Sequence, residues 1–128
     1  MNSNRFAAIG AFLGGLAVIL GAFGAHALRD KVSAADIEVW KTGAYYHLVH
    51  AVALLALALY DKKGNYRAVC WLWIAGIAIF SGSLYALVLA QTKAFGAITP
   101  IGGLCLIIGW LILGFKLLKP NEVNSDQV

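Results

Sequence analysis

The first thing this sequence lacks is charge. Asp, Glu, Lys and Arg make up 12% of its 128 residues, about half the share that a soluble domain carries. A water-facing surface needs charge, so a chain that is 61% hydrophobic cannot cover itself in water. Acid is scarcer still. The six acidic residues are Asp30, Asp36, Glu38, Asp61, Glu122 and Asp126, and none falls inside a long apolar stretch. A buried carboxylate that loads and releases a proton, as small four-span exporters use, is therefore missing. In a transporter reading only histidine could carry the proton. The two cysteines are too few for a thiolate metal site. As helices, the apolar stretches put Cys70 and Cys105 roughly 20 Å apart in depth, at 1.5 Å per residue, beyond the reach of a disulfide. No Ser-His-Asp set, metal motif or paired carboxylate lies in the apolar stretches, which makes catalysis the weakest function class.

What the sequence has is four charge-free windows, at residues 6–28, 42–60, 68–92 and 94–115. Crossing about 30 Å of hydrocarbon takes about 20 apolar residues in a helix. The reading is an all-α integral membrane bundle of four transmembrane helices in one domain, residues 1–118. The expected spans are 6–28, 42–60, 68–91 and 100–118, and 119–128 form a polar tail. The first window ends in Ala25-His26-Ala27, a match to a signal-peptide cleavage site. Signal-peptide hydrophobic regions run about 7–15 residues and this one is longer, so retention as a membrane helix is expected. The net charge of +4 comes from Lys and Arg at span ends, where basic residues meet lipid head groups. No basic patch with interleaved aromatics stands apart, so nucleic acid is not an expected partner; the lipid bilayer is.

The connectors are short. Ser33 followed three residues later by Asp36 is a helix-start signal, and Ser33 to Lys41 reads as a short interfacial helix leading into the second span. Gly64-Asn65 breaks the chain in the turn after that span. Pro100 suits the first turn of the fourth span, where its missing N–H costs nothing. Four spans place both termini and the second turn on one side, with Arg5, Lys62, Lys63, Arg67, Lys116 and Lys119. Arg29, Lys31, Lys41 and Lys93 face the other. The positive-inside rule then puts both termini in the cytoplasm.

Small residues mark packing faces. At about 100° per residue, Ala7, Gly14, Ala17, Gly21, Gly24 and Ala25 all fall within about 60° of Gly10. Gly102, Cys105 and Gly109 form a shorter smooth face on the fourth span. Close backbone approach holds helices together in lipid, so these faces are expected against neighbouring helices, or against a second copy in a homo-oligomer.

Polar residues gather in the outer half. Thr42, Tyr46 and His50 are spaced i, i+4, i+8 on the second span, and His50 is about 12 Å deep at 1.5 Å per residue. Ser81, Ser83 and Tyr85 reach similar depths on the third span, and Thr99 opens the fourth. His26 ends the first span on that side. Lipid cannot hydrogen-bond such groups, so they are expected to face the bundle. These eight residues form a candidate cluster that either fixes helix register or binds a ligand. His47 lies on another face of its helix and reads as packing or interfacial.

The motifs "GAFGAHAL", Trp40-x-Thr42-Gly43 with Tyr46-x-x-x-His50, "FSGSLY", and "ITPIGG" with Gly109-Trp110 occur in this order from about Phe6 to Leu118. In that order they resemble the small bacterial inner-membrane family typified by YgdD and YwdK. The resemblance implies a four-helix inner-membrane protein with no established activity. Residue by residue, it marks Gly21, Gly24, His26, Thr42, Tyr46, His50, Ser81, Gly82, Ser83, Tyr85, Thr99, Pro100, Gly102 and Gly103. Three functions compete: a structural or accessory protein of a membrane complex, a binder of a quinone or haem through the His/Tyr/Ser cluster, and a small transporter.

Overall fold

The computed structural model describes residues 1–119. The expected tail therefore lies, except for Lys119, outside the described residues. Among the described residues the protein is all helical, with four helices long and apolar enough to span a membrane. Helix α1 is Ser3–His26 and α2 is Ala34–Tyr60. The third span consists of α3 (Arg67–Gly76), a π-helical turn (Ile77–Ser81) and α4 (Gly82–Ala90). The fourth span is α5, Ala94–Leu118.

Local chemistry sets the ends. The Asn2 side chain accepts the Arg5 N–H at 3.1 Å, and Ser33 accepts the Asp36 N–H at 3.1 Å, so each satisfies a backbone donor that a helix start leaves free. Ser33 thus caps a helix, as its spacing predicts. That helix does not stop at Lys41: the interfacial segment is the first turns of α2 itself. The turn after α2 closes on Asp61, whose carboxylate accepts the Asn65 and Tyr66 N–H groups at 2.9 and 2.7 Å. Gly64 sits there at φ +77°, a left-handed conformation that glycine adopts at no steric cost.

Two further expectations are corrected. The fourth span begins at Ala94, so Pro100 stands in its second turn and the connector is shorter. Proline removes one helical N–H from the ladder, and neighbouring groups in a membrane bundle make this tolerable. The third span is not one regular helix. The π turn inserts an extra residue between Gly76 and Gly82, opposite Gly102, where a Cβ would lie 2.2 Å from the Phe80 nitrogen. The bulged backbone fits because α5 presents no side chain there.

The spans form a row in chain order. Helix α1 packs almost wholly on α2, the third span lies between α2 and α5, and α5 closes the far edge. The Phe6 ring, 5.6 Å from Trp71, is where α1 reaches the third span. One core holds Phe6, Leu54, Leu57, Val69, Trp73 and Leu106 towards the terminal side. A smaller one, Leu28, Trp40 and Val88, closes the opposite end. The outer faces of the row are apolar, with Phe12 79% and Phe115 68% exposed, as lipid contact requires.

The small-residue faces pack as expected except at Ala25, which is exposed, and at Gly21. A Cβ on Gly10 would sit 2.8 Å from the Leu55 nitrogen, and Gly14 meets the Ala51 Cβ at 4.0 Å. Gly24 seats the Trp40 ring and Gly109 seats Trp73. Gly21 has nothing within 4 Å of a Cβ and does not pack. At its level the Trp40 ring, bound to the Leu20 carbonyl at 2.7 Å, holds the α1 and α2 backbones apart.

Candidate functional site

The buried polar groups lie where α2, the third span and α5 meet. On α2 the inward stripe runs Trp40, Gly43, His47, His50, Leu54. Ser81, in the π turn and 1% exposed, donates to the Gly43 carbonyl at 2.8 Å. The Tyr85 hydroxyl meets His47 Nδ1 at 3.1 Å, and its ring packs 4.6 Å from Trp40. Ser83 lies 2.9 Å from the Phe80 carbonyl and 2.6 Å from the Thr99 hydroxyl. Both contacts are satisfied when Ser83 donates to the carbonyl and accepts from Thr99. Each of these contacts except the one to Phe80 joins two spans.

The deepest tie is the most constrained. His50 Nδ1 lies 2.7 Å from the Tyr46 carbonyl. A carbonyl only accepts, so that nitrogen carries the proton. Nε2 is then the acceptor, and the Trp110 indole N–H donates to it at 2.9 Å. The imidazole is a neutral tautomer with both nitrogens engaged, one within α2 and one across to α5. Trp73 packs 4.6 Å from Trp110 and 6.2 Å from His50. Two buried ring nitrogens, His47 Nε2 and Trp73 Nε1, have no partner among the described residues. The Trp73 nitrogen faces Gly109, where a Cβ would approach it to 2.5 Å.

Five of the eight candidate residues, His50, Ser81, Ser83, Tyr85 and Thr99, are thus in the interior, paired in separate ties. Tyr46 borders them: it is 40% exposed and its ring stacks on His50. Thr42 and His26 do not join. Thr42 is exposed and its hydroxyl folds back on the Glu38 carbonyl at 2.9 Å. The i, i+4, i+8 stripe advances about 40° per step, so it starts on the lipid side at Thr42 and reaches the core only at His50. His26 is exposed at the end of α1, two residues and about 200° from the Gly24 face that meets α2.

The sequence reading set His47 aside, yet it is 3% exposed and tied to Tyr85. It also gave no polar role to Trp110, which binds His50, or to Trp73, which flanks it. The signal for His47 was present, four residues after Gly43 and seven after Trp40 on one helix face. Nor is the polar set confined to the outer half, because Trp73, only six residues into α3, extends it inward. No group of three or more His, Cys, Asp or Glu is placed to hold a metal among the described residues.

Comparison with known proteins agrees with this architecture. A family model described as "Protein of unknown function (DUF423)" matches residues 20–103. The chain is 45% identical over 118 residues to UPF0382 membrane protein YwdK of Bacillus subtilis, covering 89% of this chain and 96% of that one. It is 46% identical over 116 residues to UPF0382 membrane protein SSP2132 of Staphylococcus saprophyticus, covering 89% and 97%. A UPF0382 membrane protein of Staphylococcus epidermidis is 44% identical over 116 residues, covering 89% and 95%. No solved structure matches. Full-length identity at this level, on a chain whose four spans carry every motif of the resemblance, identifies the family: the chain belongs to the DUF423 membrane proteins, whose function is unknown.

Proposed function

We propose that this protein is a structural or accessory component of the bacterial inner membrane, with both termini in the cytoplasm, and that its buried polar groups serve to lock helices together. The observation that carries this reading is how those groups are used. Ser81 to Gly43, Ser83 with Thr99, His47 with Tyr85, Trp110 to His50 and Trp40 to Leu20 each link two spans. Such ties are worth about 1 kcal/mol or less apiece in a bilayer and together fix register.

A haem-binding role has less support. A haem iron would need an imidazole nitrogen, and both His50 nitrogens are engaged while His26 stands apart from the cluster. A quinone needs only a hydrogen bond, and a chamber of about 300 Å³ beside Tyr46, His50 and Phe80 keeps that reading as the alternative. Transport has the least, since no span contains Asp or Glu among residues 42–60, 68–91 and 100–118.

The test is native mass spectrometry of wild type and His50→Ala released in mild detergent. The accessory reading expects a bare chain or oligomer with exchangeable lipid in both. A stoichiometric mass of quinone or haem size, lost in His50→Ala, overturns it. Side-specific labelling of the Lys63 and Lys93 turns tests the orientation; labelling of Lys93 from the cytoplasm reverses it.

A further inference from the structure

We infer that the groove between α2 and α5 holds one acyl chain of an anionic phospholipid, whose phosphate is bound at the terminal-side mouth by Lys62, Lys63 and Lys119. The groove follows from the order of the row. Helices α2 and α5 flank the third span and meet where Trp110 reaches across to His50, which leaves a furrow over Trp73 and Phe80. On α2 its wall is Tyr46, His50, Ala53, Ala56, Leu57 and Tyr60, all within about 60° of Ala53 on the helix. Residues 103, 106, 107, 110, 113 and 117 of α5 face them in an equally narrow stripe.

The Trp110 to His50 hydrogen bond crosses this furrow and divides it. The chamber on the terminal side is about 430 Å³ and apolar, lined by Ala53, Ala56, Tyr60, Trp73, Leu113 and Leu117 among others. From Tyr60 to His50 the helix rises about 15 Å, half of the hydrocarbon thickness of about 30 Å. The cross-tie therefore stands near the bilayer midplane, and the chamber below it is one leaflet deep. That is the length of an acyl chain, and the lining is apolar apart from the Tyr60 hydroxyl and the Trp73 N–H, which faces Gly109.

The mouth supplies the charge. Lys62 and Lys63 come two and three residues after Tyr60, and Lys119 comes two residues after Leu117; all three are exposed and have no hydrogen-bond or ion-pair partner among the described residues. Lys116 is already committed to the Asn65 carbonyl and the Tyr66 ring. Asp61 is the one acid at this end among the described residues, and its carboxylate is spent on the Asn65 and Tyr66 N–H groups. The mouth is thus a set of free cations above an apolar slot, which is complementary to a lipid phosphate and its chain.

The test is native mass spectrometry of the full chain in detergent, titrated with phosphatidylglycerol and with phosphatidylcholine of the same two acyl chains. The expected result is one phosphatidylglycerol kept per chain after phosphatidylcholine is stripped, with an apparent affinity about tenfold higher, since each lysine near the head groups adds to the attraction. Joint Lys62→Ala, Lys63→Ala and Lys119→Ala should bring phosphatidylglycerol down to the phosphatidylcholine level. Ala56→Trp, on a lipid-exposed position inside the chamber, should abolish retention, while Ile108→Trp on the opposite face of α5 leaves it intact. Circular dichroism reports whether each variant keeps its helices, and the lysine changes lie outside the packed spans. Equal retention of the two lipids by wild type overturns the inference. So does a phosphatidylglycerol preference that survives the lysine and Ala56 changes, or retention of a quinone mass that Ala56→Trp removes.

Discussion

The two sides of α2 are held in different ways. Towards α1 the seam is made of small residues: Gly10 lies on the Leu55 backbone, Gly14 on Ala51, and Gly24 under Trp40. Its side-chain hydrogen bonds stand near its two ends, from Trp40 to the Leu20 carbonyl and from Ser3 to the Asp61 carbonyl. Towards the third span and α5, three polar ties leave α2 through Gly43, His47 and His50. Small residues set how near two backbones come. Polar ties set which residue stands opposite which. The α1 seam therefore depends on shape and the other seam on pairing.

The sharpest way to break the contrast is Gly102→Leu. Its Cβ alone would lie 2.2 Å from the Phe80 nitrogen, and backbone cannot step aside as a side chain can. The expected loss exceeds about 3 kcal/mol, at the upper end of overpacking costs, and reads as failure to recover monodisperse protein in detergent. Gly10→Leu should be milder, about 1–3 kcal/mol, because α1 is an edge helix and can shift. Thermal unfolding would show a lower midpoint, and a cysteine pair across α1 and α2 would crosslink less.

His50→Ala tests the other side. It removes the acceptor for the Trp110 N–H and a partner for the Tyr46 carbonyl, and leaves space behind. A loss of about 2 kcal/mol is expected from a bond and a small cavity together, and indole fluorescence of Trp110 should report its changed surroundings. A Ser83→Ala, Thr99→Ala double-mutant cycle should give a coupling of about 0.6 kcal/mol, the usual value for such pairs in membranes. Last, Gly21→Ala and His26→Ala should each change the unfolding free energy by no more than about 0.5 kcal/mol, since neither residue meets another helix. A large effect of either would show that the α1 face has a partner.

Much of the fold could be read in the charge-free windows, because the bilayer demands long apolar helices and tolerates few alternatives. The π turn could not: the sequence IAIFSGS fits a regular helix as well, and the bulge appears only where α5 offers Gly102 to the widened backbone. Pro100 was read by a rule for helix starts, and the helix began six residues earlier. In the candidate site, depth brought Ser83 and Thr99 together, although α5 starts at Ala94 and Thr99 lies in its second turn rather than at its opening. Depth says nothing about rotation, which is why Thr42 was included and His47 left out. The partners of the histidines were missed because tryptophan reads as an interface or core residue, and its single N–H is easily overlooked as a donor.

The row arrangement also bears on how the protein is made. Each span packs on the one synthesised just before it, so no helix must wait in the bilayer for a distant partner. A chain delivered from its N-terminus can close α1 on α2 and then add the third and fourth spans to a finished edge. Contacts between sequence neighbours are also the ones that form fastest. The open side of α1 at Gly21 and the α2 to α5 furrow are then the two places that assembly leaves uncovered once synthesis ends.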